Sequence, residues 1–406
     1  MPGNRGRNSI EKIRKMKRTV ILAAAAALIL VSCKGEEPID KVYGRVLKVA
    51  CAQTDMMLSS LEPGQYPRSI KDGKLWTSDY KWWCSGYFPG VLWELAAATG
   101  DEKYVAPARR LTEGLETLKT TTSQHDIGLQ IICSYGRGYN LTEDASYKDE
   151  IIASARHLAA RFNPNVGCIL SWDGPKSDPT RFRVIIDNML VIELLMEAAK
   201  LSGDESLSEV AIKHAETTLK NHFRPDYSSY HVVEYDPETG AVTCKHTHQG
   251  YSDDSAWARG QAWGLYGYTM MYRYTKRADF LEQAQNIAGY ILSRLPKDYI
   301  PYWDYDSPEI PNEVRDASAA AVQASAFIEL STYVSREDAV RYIQVAEATL
   351  RELSSPEYLA EPGTNCGFIL KHSTGNKPGN YEVDVPLSYA DYYFLEAFER
   401  FFKYMK

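Results

Sequence analysis

A short signature recurs along this chain and limits the folds open to it more than any other feature. Thr99-Gly100-Asp101-Glu102, Thr142-Glu143-Asp144-Ala145, Ser202-Gly203-Asp204-Glu205 and Thr275-Lys276-Arg277-Ala278 are its copies, with a weaker one at Ser335-Arg336-Glu337-Asp338. A hydroxyl followed by acidic residues reads as the cap and first turn of a helix. Amphipathic stretches follow, such as residues 207–219 and 280–292, with apolar side chains at three- and four-residue steps. Before the copies lie stretches that are apolar around more of their circumference: residues 91–98, 127–135, 189–199, 262–272 and 319–332. A sixth, 392–402, follows the last copy. Six apolar helices alternating with amphipathic ones predict two concentric rings, the apolar set inside. The expected fold is therefore all-α, an (α/α)6 barrel of six helical hairpins. An open solenoid of hairpins would share the period. The unequal spacing of the copies favours the barrel, because long loops can grow on one rim while the hairpin stays constant. Short extended pieces are expected around residues 231–235, 241–245 and 368–371.

Charge is unevenly placed. The formal −7 divides into +6 over residues 1–32 and −13 over the remainder. Lys17-Arg18 precede an apolar run from Thr19 to Val31, too short for a comfortable membrane span, and Leu30-Val31-Ser32-Cys33 ends it. This pattern resembles a bacterial lipoprotein signal. Residues 1–32 are then expected to be a signal peptide, Cys33 the lipidated residue, 33–45 a tether and 46–406 one catalytic domain. The mature protein would be exported and lipid-anchored, in the periplasm or at the cell surface, touching a membrane only through that anchor. So acidic a body lacks the basic footprint that nucleic acid requires. Its 8 Trp and 28 Tyr suit sugar stacking, after core packing has taken its share. The cysteines after Cys33 show no zinc-like spacing and are expected to be free, buried thiols. Nucleotide-binding glycine loops and a GxSxG elbow are absent, which argues against nucleotide cofactors and serine hydrolysis.

If the inner helices run parallel, the residues that begin them gather at one rim. Those starts include His125-Asp126-Ile127-Gly128, Ile186-Asp187-Asn188, Arg259-Gly260-Gln261, Arg315-Asp316-Ala317 and Tyr389-Ala390-Asp391. An Asp at a helix start is ordinarily a cap, and Asp316 and Asp391 are open to that reading. Asp126 and Asp187 emerge beside His125 and from the run Val184-Ile185-Ile186. Burial would raise such carboxyls while a helix start would lower them, and a pair split by these effects can serve as acid and base. By itself the pair suggests conventional inverting hydrolysis.

The densest local signal is residues 246–263, which hold His246, His248, Gln249, Trp257, Arg259, Gln261 and Trp263 just before an inner helix. Such a loop offers aromatic faces to a sugar ring, and Arg259 has the fork to bind a carboxylate bidentately. Core packing is the alternative for Trp257 and Trp263. His246 and His248 lack a third ligand at standard spacing, so no metal is expected. His231 lies on a loop feeding the same rim, and Trp76, Tyr80, Trp82 and Trp83 could add a wall. Lys371, Ser373 and Lys377 form either a solvated turn or a loop that meets a sulfate group.

These pieces, together with Cys84-Ser85-Gly86-Tyr87-Phe88-Pro89-Gly90 and Pro301-Tyr302-Trp303-Asp304, resemble glycoside hydrolase family 88, the unsaturated glucuronyl hydrolases, over roughly residues 50–402. Val191 departs from the Asn expected in many members. The resemblance implies an (α/α)6 barrel that removes a 4,5-unsaturated uronate from the non-reducing end of lyase products, by hydrating the double bond. It implies that Asp187 protonates C4 and then activates water for C5, and that Asp126 is the second essential acid. It also implies that His231, His248, Gln249, Trp257, Arg259 and Trp263 line the sugar pocket, without metal or organic cofactor. The implied partner is an unsaturated uronate-terminated oligosaccharide, most naturally from glycosaminoglycans. An unsaturated rhamnogalacturonyl hydrolase acting on pectin fragments and a non-catalytic glycan-binding lipoprotein remain alternatives.

Overall fold

A computed structural model describes residues 36–121, 123–173 and 181–405. Residues 1–32, expected to be a signal peptide, and Cys33 lie outside the described residues. Among the described residues, twelve α-helices alternate between two rings. The outer ring comprises α1 (Ile39–Ser60), α3 (Val105–Glu113), α5 (Ala145–Ala159), α7 (Glu205–Asn221), α9 (Ala278–Arg294) and α11 (Arg336–Leu353). The inner ring begins with α2 (Tyr87–Thr99). Next comes α4, a continuous rod of Ile127–Ile131, a π-helical stretch Ile132–Gly136, and Arg137–Thr142. It continues with α6 (Asn188–Val191 and Glu193–Ser202), α8 (Ala258–Thr275), α10 (Ala317–Ser331) and α12 (Ser388–Tyr404).

Burial separates the rings as the sequence pattern predicts. Every residue of α10 is buried, whereas α7 buries one stripe: Leu207, Ala211, His214, Ala215 and Thr218. Each inner helix packs on the next, and α12 returns to pack on α2. That last contact closes the ring and excludes the open solenoid. The protein is an (α/α)6 barrel.

The recurring signature works differently from the expected cap. Thr99, Thr142, Ser202 and Thr275 end their inner helices. Each hydroxyl donates back to a carbonyl four residues earlier: Leu95, Gly138, Ala198 and Met271. The same four oxygens accept the backbone N–H two residues ahead. The residue between turns left-handed in all four: Gly100, Glu143, Gly203 and Lys276. Glycine takes that conformation without a Cβ penalty. Asp101 and Asp144 then cap the next helical turn. Only Ser335 acts as the predicted hydroxyl cap, accepting from Asp338 N–H.

Two boundaries change. Of the stretch 33–45 expected to be a tether, residues from Ile39 onward belong to α1, which buries Val42 and Val46 against the barrel. Irregular backbone would waste that apolar stripe. Strands are also more numerous than expected. A hairpin, β1 (Tyr66–Lys71) and β2 (Lys74–Ser78), precedes α2. A three-stranded antiparallel sheet combines β3 (Phe182–Ile185), β4 (Val232–Tyr235) and β5 (Val242–His246). Residues 368–371 make only an isolated bridge, Leu359 to Leu370. The six described cysteines are free; Cys84, Cys133 and Cys168 are buried, while Cys244 is exposed.

Candidate active site

The sheet and the inner-helix starts together build the site. Ile185 pairs with Val232 and Val232 with His246, and Ile186 N–H donates to His231 O at 3.0 Å. This register brings three strand ends together, so Asp187, His231 and His248 emerge side by side. Ser171 ties in the neighbouring helix: its carbonyl accepts His125 N–H, and its hydroxyl donates to Asn188 Oδ1 at 2.8 Å. Asp126 at the start of α4 is thereby joined to Asp187 at the start of α6.

Where α4 meets α6, Gly128 lies against Val191. A Cβ on Gly128 would stand 2.4 Å from Val191 Cβ and 2.5 Å from its carbonyl oxygen. The two helices that carry the acids therefore approach at a distance only glycine permits. Val191 is fully buried there, so an apolar residue suits the place where relatives were expected to carry Asn. Gly128→Ala should cost about 1–3 kcal/mol by overpacking and lower turnover by parting the acids. A denaturant midpoint equal to the parent's would show that the contact carries no load.

The acids divide as the sequence suggested, and the hydrogen bonds show why. Asp316 is a cap, accepting from Ser318 N–H and Ala319 N–H. Asp391 is turned to another loop, accepting from Ile369 N–H and Leu370 N–H. Asp126 and Asp187 occupy N-cap positions without capping anything. Their side chains are 22% and 19% exposed. Burial pushes both carboxyls up to about 7, against the pull of Arg161 on Asp126 and of Arg259 on Asp187. The charge of Asp126 raises Asp187 further. Desolvation outweighs the helix start.

Burial holds His125, His231 and His248 below the usual imidazole range. His125 Nε2 lies 3.3 Å from Asp126 Oδ1, and burial, helped by Arg161, drives that imidazole down to about 3. His231 is buried and stacks on Trp257 with ring centroids 4.6 Å apart. His248 is exposed and faces Trp172 at 6.1 Å. His246 is drawn away to Glu234, 3.1 Å from Oε1. No group of three His, Cys, Asp or Glu suited to a metal occurs among the described residues.

Several expected roles are redistributed. Arg259 is 1% exposed and already engaged: Nη1 meets Asp316 Oδ2 at 2.8 Å and Thr374 O at 2.5 Å, and Nη2 meets Gly375 O at 2.6 Å. It cannot also present a free fork to a carboxylate. Its guanidinium covers Trp257 at 4.4 Å. With His231 also against that ring, Trp257 is 2% exposed, and Trp263 is 1% exposed. Both indoles form the wall behind the site and leave no open face for a sugar. Gln249 is half-buried and donates its amide to Gly375 O at 3.1 Å. Trp83 is half-buried and lies 4.8 Å from Tyr389. Trp76 and Trp82 instead sandwich Arg68 at 3.6 and 3.7 Å, and Arg68 pairs with Glu382. Lys377 is held by Glu313 and Glu309, at 2.6 and 3.1 Å, and Lys371 by Pro356 O.

Sequence reasoning missed Trp172. Half-buried, it lies between His125 (6.3 Å) and His248 (6.1 Å), on the side of the site where Asp126 stands. The available signal was a Trp just after the apolar run Cys168-Ile169-Leu170, in a loop that the hairpin period places on this rim. Tyr389 was also missed as a site residue; it bridges Trp83 and Arg259, the latter 5.4 Å away.

Asp391 is raised as well but is spent on Ile369 and Leu370, whereas the raised and uncommitted pair Asp126 and Asp187, at one rim of an (α/α)6 barrel walled by aromatics, defines a glycan-processing site of the acid/base kind. Comparison with known proteins supports that class. Residues 54–362 match Glycosyl Hydrolase Family 88. An unsaturated glucuronyl hydrolase from Formosa agariphila is 48% identical over 78% of this chain and 79% of its own. An unsaturated chondroitin disaccharide hydrolase from Streptococcus pneumoniae is 32% identical over 97% of both chains. The crystal structure of an unsaturated glucuronyl hydrolase specific for heparin superposes with a TM-score of 0.87 at 46% identity, covering 90% of this chain and 98% of that one. The chain belongs to glycosyl hydrolase family 88 and is a glycosidase.

Proposed function

We propose that this protein removes the 4,5-unsaturated glucuronate from the non-reducing end of lyase-generated glycosaminoglycan oligosaccharides. The observation that carries the reading is the pair of non-capping carboxyls, Asp126 and Asp187, each raised to about 7. A carboxyl still protonated near neutrality can donate to a carbon, as hydration of an enol ether requires. Asp187 gives its proton to C4 of the unsaturated ring. Its conjugate base then takes a proton from the water whose oxygen bonds to C5. The hemiketal so formed opens and releases the glycosidic oxygen. Asp126 holds the ring hydroxyls and keeps its partner's affinity for the proton high. The site needs no metal for these steps. Names borne by the relatives support the substrate class: glucuronyl for one, chondroitin disaccharide for another.

The testing experiment supplies a panel of unsaturated disaccharides from chondroitin, hyaluronan and heparin-type chains and follows loss of double-bond absorbance. Absence of decay on every member rejects the proposal. On a reactive member, kcat/KM should fall tenfold per pH unit above about 7, as Asp187 loses the proton it must donate. A profile flat to pH 9 would remove Asp187 as the acid. Trp172→Ala should raise KM several-fold through lost aromatic contact, about 1–2 kcal/mol, with kcat little changed.

The export reading belongs to the same proposal. Lys17-Arg18, the apolar run and Cys33 support a lipid-anchored protein outside the cytoplasm. Radiolabelled fatty acid should enter the parent chain and not the Cys33→Ser chain.

A further inference from the structure

Two buried polar atoms in the site face each other without a partner. His231 Nε2 lies 3.8 Å from Asp187 Oδ2, and neither makes a hydrogen bond. The opposite edge of the imidazole is fully used. His248 N–H and Gln249 N–H both donate to Nδ1, each at 3.1 Å. A ring nitrogen that accepts carries no proton, so a neutral imidazole must hold its single proton on the other one. That proton sits on Nε2, the ring atom 3.8 Å from Asp187 Oδ2. The ring cannot turn away, because Trp257 covers it at 4.6 Å and its backbone is fixed by Ile186 N–H.

We propose that His231 is a positioning residue for Asp187: an imidazole locked in one tautomer by two backbone amides, whose Nε2–H fixes the carboxyl and closes on its anion. The role in turnover rests on the reading of Asp187 as the acid; the geometry does not. When Asp187 delivers its proton, the anion left behind has a preset donor, and the 3.8 Å separation shortens to a charge-assisted hydrogen bond. His231 is then neither the acid nor a cation for the sugar's carboxylate. The charged and titratable groups facing this pair are Arg259, Asp126, His248, His246 and His222. Burial and the positive groups among them hold the imidazole well below its usual range, so it stays neutral while Asp187 titrates.

The test uses the full chain labelled with 15N-histidine and 13C-aspartate, with His231 and Asp187 assigned by difference from H231Q and D187N. His231 should show a protonated Nε2 and a bare Nδ1 from pH 5.5 to 8. An imidazolium or an Nδ1–H signal in that range overturns the proposal. In H231F the Asp187 ionisation should move up by about one pH unit, tenfold in its constant, and the alkaline limb of kcat/KM should move with it. kcat should fall more than KM changes. H231Q, whose amide can donate to the same place, should restore part of both. An unmoved Asp187 titration in H231F overturns the proposal even if activity drops, and H231Q guards against loss through misfolding. Inactivity on every unsaturated uronate would reject the proposed function, and the spectroscopic arms would still decide the hydrogen bond.

Discussion

Asp187→Asn should reduce turnover by at least about a thousandfold, within the range for loss of a general acid, and should at the same time stabilise the fold at alkaline pH. The sign follows from the ionisation. The carboxyl's folded-state value of about 7 stands above its ordinary value of 3.8. Between these two, the folded chain binds the proton that the unfolded chain has lost. Its contribution to stability is therefore greatest at low pH and falls as pH rises towards 7. Above 7, holding the charge in this site costs about 4 kcal/mol at most. Asn carries no charge and escapes that cost. Thermal unfolding should place the Asn variant above the parent at pH 8 and level with it near pH 4. A variant less stable at pH 8 would show that the carboxylate is well served where it sits. Residual activity within tenfold of the parent would remove Asp187 from the chemistry.

Arg259→Ala should produce the largest loss of stability of any single change at the rim, about 3–5 kcal/mol, because it strands a buried partner. Asp316 has no exposed surface, and Arg259 is its one cationic partner among the described residues. The same change strips donors from the carbonyls of Thr374 and Gly375, and the Gly375 carbonyl also holds the Gln249 amide. Denaturant unfolding measures the loss. Adding Asp316→Asn should recover a large part of it, since the orphaned charge then disappears. If the single variant loses less than about 1 kcal/mol, the ion pair is not what secures the loop over the site.

The barrel was legible because its evidence is local and repeated. Helices apolar all round must be buried, and six of them alternating with amphipathic ones leave few arrangements. The acids were legible for the same reason, since each begins an inner helix. Which of them cap was not legible: Asp316 and Asp187 stand in the same sequence setting, and only the third dimension gives one a pair of N–H groups and the other none. Arg259 shows the limit most clearly. In sequence it is a free cation in an aromatic loop, and its partner lies 57 residues away at the next inner-helix start. Trp257 and Trp263 read as sugar platforms until Arg259 and His231 are seen against the first. The β1–β2 hairpin escaped notice because its Trp76 is spent on Arg68, a contact no periodicity announces. Trp172 was passed over because nothing around it repeats.

The closure of α12 on α2 also bears on how the chain reaches its folded state. Ser69 Oγ donates to Pro386 O across 317 residues, and Arg137 Nε meets Tyr392 Oη across 255. Such contacts carry a loop-closure cost that local hairpins avoid. Successive hairpins can therefore assemble early as an arc with an apolar gap along one side, and the arc becomes a ring only when residues 388–404 arrive. Until then the apolar faces of α2 and α10 lack their shared neighbour. A polypeptide built this way cannot complete its core before residues 388–404 have been synthesised, so its last helix acts as the keystone of the ring.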